Sequence, residues 1–437
     1  MSCSSSRHSS TERCASRRCS RCARFASARS PRATARTIAP PARLVGHPYR
    51  ELLALPPVRR FLLGFFATSI GDGIALVSVP WAALELAPPG RGAVAVALAT
   101  FASFVSGLPL SLLLARRPLS TRTILLVDCV WRGGLFALIG VLEIAHALDL
   151  TLLIALLAAA SLTRTLAIGA RRLLLASLVP PERRLAASSA YGVTFMLGTT
   201  VLGGAVAGAV VPHGGLGAAF LLDTGSFLVF MASLGRGGAL AAGAEPQRGS
   251  GRVGSAAVRL LAIAGFVALL DGVVEVALPV FVRFAVGGGA GLYGAVFAGF
   301  GVGSLAGTLV LGSLRRRVPL GPVVLLAALG WGAATVAFGL TGGAASLLAA
   351  AVVIGTCWGP FGAAMLAAIQ EASAPEALPR AMNAWAAVQT AGMPVGLAIG
   401  GPLVAATGPR AVIVGAGAAA ATVAGVALAA VRRPRRR

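Results

Sequence analysis

The sequence contains no lysine and few acidic residues. All 38 of its basic residues are arginine, against 14 Asp and Glu, and only 12% of its 437 residues are charged. Soluble globular domains carry about 25% charged residues. With 57% hydrophobic residues and a mean hydropathy of +0.83, the composition excludes a disordered chain and a single water-soluble enzyme domain.

Motifs that bind nucleotides or perform hydrolysis are also missing. Without lysine the chain cannot form the Gly-x4-Gly-Lys-Ser/Thr loop that binds ATP phosphates. It contains neither His-Glu-x-x-His nor Gly-x-Ser-x-Gly. The Gly-rich segment 299–303 looks like a dinucleotide loop but lies inside an apolar run without a preceding strand. We therefore expect neither a primary pump nor an enzyme, and no cofactor.

Residues 1–48 have a composition of their own, rich in Ser, Arg, Ala and Cys, with Glu12 as the one acid. They lack the apolar segment of a secretory signal peptide. The composition fits an organelle transit peptide, a disordered tail, or a start assigned too early; we favour a start near Val45. Zinc needs four ligands in a segment that folds, so we expect no metal site at the cysteines Cys3, Cys14, Cys19 and Cys22.

The rest of the chain is a series of apolar runs. A membrane-spanning helix needs about 20 apolar residues, and the breaks between runs carry turn residues or arginines. Helices are expected because open strands leave backbone groups unpaired in lipid. The twelve predicted spans are 61–84, 92–115, 121–147, 151–177, 185–211, 216–234, 258–283, 292–314, 319–341, 344–369, 380–406 and 410–431.

The arginines predict the orientation of these spans, because cytoplasmic loops are enriched in basic residues. With both termini in the cytoplasm, 33 arginines fall on the cytoplasmic side and three on the other, and two lie within helices. We expect a multi-pass protein of the cytoplasmic membrane, in contact with lipid and not with nucleic acid. The cytoplasmic gate and topology loops include Arg116, Arg117, Arg122, Arg171, Arg172, Arg315, Arg316 and Arg317.

The chain contains two copies of a six-helix unit. The pattern Asp-Gly-x6-Pro begins at Asp72 and again at Asp271, 199 residues later (271 − 72). An even number of helices makes the copies parallel. The predicted fold is an all-α integral membrane protein of twelve transmembrane helices in two parallel repeats. The expected order is an N-terminal bundle, a cytoplasmic linker, a C-terminal bundle and a basic tail: 49–234, 235–256, 257–431 and 432–437.

Several short motifs make the stretch from about residue 50 to 431 resemble the major facilitator superfamily, and within it the drug, macrolide and siderophore efflux branch. They are Ser69-Ile70-Gly71-Asp72 with Pro80-Trp81, Ala170-Arg171-Arg172, Leu178 to Arg183, Phe220 to Asp223 with Ser226-Phe227, Gly359-Pro360-Phe361, and Arg380-Ala381 to Gly400-Gly401. The resemblance implies secondary transport of small molecules by alternating access.

Two departures from this family weaken the inference of antiport. Arg116 stands where the loop after the second helix usually carries an acid, and the second copy lacks the acid as well. The antiporter motif of the fifth helix keeps the pair Gly203-Gly204 without its proline. A non-transporting membrane sensor or assembly protein of the same fold therefore stays an alternative, as does an uncoupled or uptake facilitator.

Ionisable residues inside the spans are the candidate functional groups, since each costs at least about 2.5 kcal/mol to insert. Asp72, Asp271, Glu275 and Arg164 are predicted to bind protons, cations or substrate, with Asp72 and Asp271 facing a shared cavity. Asp271 and Glu275 share one helical face, and two close carboxylates do not both ionise cheaply; interhelical hydrogen bonding is the alternative. We assign a structural ion pair or coupling role to Asp128, Arg132 and Asp223.

Glycines at intervals of four predict close helix packing. These expectations together describe a proton-coupled exporter of small, apolar or cationic molecules that functions as a monomer. The predicted packing positions are Gly203, Gly204, Gly299, Gly303, Gly307, Gly392, Gly396 and Gly400.

Overall fold

The structure, a computed structural model, describes residues 48–105, 120–235, 251–314 and 319–432. Within these ranges every regular element is helical. The α-helices are α1 (Pro48–Leu53), α2 (Pro56–Glu85), α3 (Gly92–Val105), α4 (Thr121–Ile144), α5 (Leu150–Ser177), α6 (Arg184–Met196), α7 (Gly204–Ser233), α8 (Ser255–Val280), α9 (Ala290–Leu314), α10 (Leu320–Gly339), α11 (Ala344–Glu371), α12 (Leu378–Thr407) and α13 (Pro409–Arg432).

Ten helical segments among the described residues are long and apolar enough to cross a membrane. One of them, Ala186–Ser233, is 48 residues long and breaks at Gly215, where φ is 79° and ψ is 172°. Such a φ favours glycine, and the break divides the segment into two spans. The shorter apolar helix Gly92–Phe104 corresponds to the predicted second span. The predicted all-α fold of twelve spans is therefore confirmed.

The helix starts repeat at the spacing that the sequence motif predicts. Helix α2 begins at Pro56 and α8 at Ser255, 199 residues later (255 − 56). The starts of α4 and α10, Thr121 and Leu320, have the same spacing (320 − 121). From α5 onward the spacing is 194 residues, as between the residues that precede α5 and α11, Asp149 and Gly343 (343 − 149). Structurally equivalent positions in the two halves can therefore be read directly from the numbering.

Packing between helices follows the same symmetry. In the first half α2 packs on α7 and α4 on α5, while in the second half α8 packs on α12 and α10 on α11. The halves meet where α3 packs on α12 and where α7 packs on α9. These two contacts exchange under the repeat, because α3 corresponds to α9. The helices of both halves belong to one compact unit.

Glycines allow helix backbones to touch in both halves. A Cβ on Gly303 of α9 would lie 2.0 Å from the carbonyl oxygen of Val352 in α11, and one on Gly396 of α12 would lie 2.0 Å from that of Leu269 in α8. Small residues are common at such membrane-helix contacts. Gly299 has an ordinary 3.4 Å contact. The other predicted packing glycines, with a Cβ contact of 3.2 Å or less, are Gly203, Gly204, Gly307, Gly392 and Gly400.

Some sequence predictions concern residues outside the described ranges. They cover residues 1–47, the greater part of the linker, and residues 433–437, together with the loop arginines Arg116, Arg117, Arg315, Arg316 and Arg317. Arg122 is described and donates a hydrogen bond to the carbonyl oxygen of Gly235.

We predict that Gly303→Ala lowers the thermal stability of the protein in detergent micelles, because the added methyl group meets the α11 backbone. The matched control is Gly312→Ala in the same helix, where a Cβ would meet no atom of the described residues within 4 Å. Its melting temperature should be unchanged or higher, as alanine favours helix more than glycine does. Equal melting temperatures for the two variants would contradict the packing described for α9 and α11.

Candidate functional site

The first half contains a buried ionic cluster formed by two acids and two arginines. Asp72 comes from α2, Asp128 and Arg132 from successive turns of α4, and Arg171 from α5. Arg132 Nη2 lies 2.8 Å from Asp72 Oδ1, and Arg171 Nη1 lies 3.3 Å from Asp72 Oδ2. The same two arginines lie 3.7 and 3.6 Å from Asp128 Oδ2. Each charge therefore has two partners of opposite sign.

Further contacts complete the environment of this cluster. The Thr163 hydroxyl donates a 2.7 Å hydrogen bond to Asp128 Oδ1. The guanidinium of Arg132 lies 4.8 Å from the ring centre of Phe227, and that of Arg171 lies 5.3 Å from Phe230. Cation–π contacts of this kind strengthen when they are shielded from water. The four formal charges cancel, so the cluster ties three helices together without leaving net charge in the membrane.

Arg171 is the member that the sequence analysis missed. We had assigned it to a cytoplasmic loop, but it lies within α5 and is 3% exposed. The ion pair predicted within α4, between Asp128 and Arg132, is present, but Arg132 lies closer to Asp72 than to Asp128. Spacing could have found Arg171: it follows Arg164 by seven residues, two helical turns, and therefore shares its face. Its neighbour Arg172 is exposed, and its guanidinium lies 5.8 Å from the ring centre of Tyr191.

A small cavity of about 60 Å³ lies beside the cluster, and we call it the first-half cavity. Arg164 of α5 reaches it, donates a 3.0 Å hydrogen bond to the Ser103 carbonyl, and stacks 4.3 Å from the Phe104 ring centre. Among the described residues Arg164 makes no ion pair with a carboxylate. The residues lining this cavity are Asp72, Ala75, Leu76, Val79, Pro80, Thr100, Ser103, Phe104, Arg132, Phe136 and Arg164.

A larger cavity of about 210 Å³, the second-half cavity, is lined by the carboxylates of Asp271 and Glu275. Asp271 and Glu275 occupy one face of α8, and neither forms an ion pair with any residue in the described ranges. Glu275 Oε1 is buried and has no hydrogen-bond partner there. The lining residues are Leu76, Asp271, Val274, Glu275, Leu278, Val296, Phe297, Phe300, Trp331, Thr335, Phe338, Ala351, Ile354, Trp358 and Met393.

Asp72 and Asp271 thus line two different cavities, not the single shared one that we expected. Leu76 belongs to the lining of both and marks the boundary between them. Asp72 and Asp271 occupy equivalent positions in the two repeats, but their surroundings differ. Asp72 has two arginine partners, whereas the cavity around Asp271 is lined mainly by apolar side chains, five of them aromatic.

Asp223 of α7 is fully buried, and Ser226 Oγ donates a 3.2 Å hydrogen bond to its Oδ1. This carboxylate packs against α2, since a Cβ on Gly71 would lie 2.2 Å from Asp223 Oδ1. Asp223 lines neither of the two cavities. Its other oxygen, Oδ2, is buried and has no hydrogen-bond partner among the described residues.

The ends of α2 and α8 connect the two halves. Arg283 Nη1 lies 3.4 Å from Glu85 Oε1, and the indole N–H of Trp81 donates a 2.8 Å hydrogen bond to the same oxygen. The Trp81 ring stacks 5.8 Å from that of Tyr293 in α9. Because Glu85 and Arg283 are both about 40% exposed, their pair contributes at most about 1 kcal/mol. It is weak enough to open and close.

Comparison with known proteins agrees with this architecture. A sequence model described as Major Facilitator Superfamily matches residues 260–437, which lie in the second half and its C-terminal extension. None of the curated proteins compared matches the chain.

Solved transporter structures have the same fold. A peptide transporter in complex with sulfate has a TM-score of 0.65 at 15% identity, over 85% of this chain and 94% of that one. A bacterial metal transporter has a TM-score of 0.65 at 18% identity, over 87% and 100%. A bacterial homologue of the lysosomal transporter Spinster, inward-facing and occupied, has a TM-score of 0.62 at 15% identity, over 88% and 95%. The chain is thus a multi-pass membrane protein with the major facilitator fold.

We predict that Arg171→Gln lowers the free energy of unfolding by about 3–5 kcal/mol, because it leaves two buried carboxylates with one cation. The matched control is Arg172→Gln, which removes an exposed charge from the next position and should change stability by less than about 1 kcal/mol. Reversible unfolding in mixed micelles measures both values. A similar loss in the two variants would show that Arg171 does not neutralise the cluster.

Proposed function

We propose that the chain is a secondary active transporter that moves small molecules across the membrane by alternating access and is coupled to protons. The observation that carries this proposal is the pair Asp271 and Glu275, two acids that face a cavity without a cationic partner among the described residues. A carboxylate inside a membrane is costly, so such groups are retained for ion or substrate handling. Two of them one turn apart favour the binding of a proton.

The contrast between the two halves supports a role in proton binding for Asp271 and a structural role for Asp72. Asp72 is neutralised by Arg132 and Arg171, which gives it a structural role in joining helices. Asp271, at the equivalent position, has no such partners and stays available to a proton or cation. A proton that enters the second-half cavity would change its net charge and thereby its affinity for a charged substrate.

Arginine placement supports an orientation with both termini in the cytoplasm, so that Glu85 and Arg283 lie at the outer end. The contacts between α3 and α12 and between α7 and α9 join the halves near the same end, as with the approach of Gly401 to Ala97. This arrangement suits an inward-facing state. Opening the outer end would require these contacts to separate and the halves to rock against each other, as in other transporters with parallel repeats.

The cavity chemistry supports a substrate with an apolar or aromatic body and a positive charge. Trp331, Trp358 and Phe300 contribute aromatic faces, which attract cations as well as apolar groups. Export from the cell in exchange for protons is the direction we favour, with the protein acting as a monomer in the cytoplasmic membrane. It is a transporter rather than an enzyme.

We expect purified protein in proteoliposomes to dissipate an imposed proton gradient when a transported cationic dye, antibiotic or siderophore is added. The double variant Asp271→Asn/Glu275→Gln should lose this response, because neither side chain then binds a proton reversibly. Glu371→Gln, which neutralises an exposed acid at the end of α11, is the control and should behave like the parent. A pH-sensitive dye inside the vesicles measures the flux.

The result would contradict proton coupling if the double variant retained the response. Transport of a compound without proton movement would favour an uncoupled facilitator. If correctly folded protein neither moved any compound nor any protons, the non-transporting sensor would become the better interpretation.

Alternating access makes a second prediction. Joining Glu85→Cys to Arg283→Cys with a bifunctional thiol-reactive cross-linker, in a background without other cysteines, should block transport, because the link holds the halves together at one end. The control is Glu51→Cys/Arg183→Cys: that pair has a 2.9 Å salt bridge within the first half, and joining it with the same reagent should leave transport intact. Unimpaired transport by the cross-linked Glu85→Cys/Arg283→Cys variant would overturn the proposed motion.

A further inference from the structure

The first-half and second-half cavities are built from equivalent positions of the two repeats. With the spacing of 199 residues, Asp72, Leu76 and Val79 correspond to Asp271, Glu275 and Leu278. All six line their respective cavities. The same spacing relates Arg132 to Trp331 and Phe136 to Thr335, and the 194-residue spacing of α5 and α11 relates Arg164 to Trp358. One ancestral pocket therefore occurs twice with different linings.

The residues that differ between the two linings make the first-half cavity more positive and the second-half cavity more negative. In the first-half cavity the equivalent positions carry the guanidinium groups of Arg132 and Arg164. In the second-half cavity they carry the indoles of Trp331 and Trp358. At the third position Leu76 is replaced by the carboxylate of Glu275, which adds negative charge to the second-half cavity alone.

The first-half cavity offers hydrogen-bond donors that nothing in the described chain uses. Arg164 gives one N–H group to the Ser103 carbonyl and makes no ion pair with the described residues. Thr100 is 4% exposed, lines the cavity, and its hydroxyl has no hydrogen-bond partner among them. An unpaired buried donor is costly, so this arrangement favours an acceptor that arrives from outside.

Asp72 also lines this cavity but does not make it negative. Its two oxygens already bind Arg132 and Arg171, and these arginines together with Asp128 complete a neutral group. The positive charge of Arg164 therefore has no equal counterpart beside it. A carboxylate is a suitable partner, since arginine presents a planar fork that matches its two oxygens.

We propose that Arg164 and Thr100 form an anion-binding subsite, and that the transported molecule is an amphipathic zwitterion. Its carboxylate binds Arg164 in the first-half cavity, and its ammonium group binds Asp271 and Glu275 in the second-half cavity. The apolar body packs against Trp331 and Trp358, and the molecule passes Leu76, which lines both cavities. This assignment rests on the proposed transport function and specifies its substrate class.

Three probes built on one phenyl-alkyl skeleton test the assignment: 3-[4-(2-aminoethyl)phenyl]propionate as the zwitterion, with its charges at opposite ends of the ring, phenethylamine as the cation and 3-phenylpropionate as the anion. Binding to the intact protein in nanodiscs is followed by the fluorescence of tryptophan, since Trp331 and Trp358 line the cavity. We expect the zwitterion to bind at least about tenfold more tightly than either other probe, as a charge-assisted hydrogen bond to a carboxylate allows.

Arg164→Gln should reduce the preference for the zwitterion over phenethylamine to less than about twofold while leaving phenethylamine binding unchanged. The control is Arg259→Gln, which removes an exposed arginine of α8 and should keep the full preference. Asp271→Asn/Glu275→Gln should weaken both ammonium probes and spare 3-phenylpropionate. These three patterns together separate the subsite from a general effect on folding.

The assignment would be overturned if no probe bound, if 3-phenylpropionate bound as tightly as the zwitterion, or if the preference survived Arg164→Gln. Chloride added in place of gluconate is a further arm: it should weaken binding of the zwitterion and leave phenethylamine unaffected, whereas equal weakening of both would show that chloride does not compete at Arg164 and would count against the subsite. An Arg164-dependent preference without proton flux would overturn the proposed coupling but not the subsite. Proton flux driven by cations alone would do the reverse.

Discussion

Charge neutralisation inside the membrane is the constraint on which the rest of this structure depends. Asp72 can lie within α2 only because Arg132 and Arg171 reach it from α4 and α5. The resulting network fixes three helices of the first half relative to one another, and its charges cancel. Replacing the network by apolar residues would often be neutral for stability, whereas removing one member leaves a buried charge unpaired. The first half therefore has a rigid ionic interior.

The second half has the same arrangement of helices, but its cavity has no arginine at the positions equivalent to Arg132 and Arg164. Trp331 and Trp358 stand where Arg132 and Arg164 stand in the first half, and Glu275 adds an acid. Duplication thus supplied two copies of one pocket, which diverged into a positively charged cavity and an aromatic cavity with two carboxylates. Under the proposed function, this asymmetry lets one half keep its structure while the other binds and releases protons. The weak Glu85–Arg283 pair at the junction is consistent with halves that separate during a cycle.

The fold could be predicted from the sequence because its signals are long and redundant. Each span needs many apolar residues, and Asp72-Gly73 and Asp271-Gly272 recur at the spacing by which the helix starts are now seen to repeat. The candidate site was harder to predict from the sequence. Asp271 and Glu275 share a face by spacing alone, but Arg171 lies next to Arg172 in sequence and only the path of α5 separates a buried guanidinium from an exposed one. Leu76 lines both cavities, and no sequence pattern indicates that Asp72 and Asp271 line different ones.

The central claim is that Asp271 and Glu275 bind protons reversibly whereas Asp72 does not, because among these three acids only Asp72 has arginine partners in the described chain. Infrared difference spectroscopy of the protein in lipid, recorded across the physiological pH range, tests it most directly. The account predicts a protonated-carboxyl band that titrates in the parent protein, disappears in Asp271→Asn/Glu275→Gln, and persists in Asp72→Asn. A band that persists in the double variant and disappears in Asp72→Asn would contradict it.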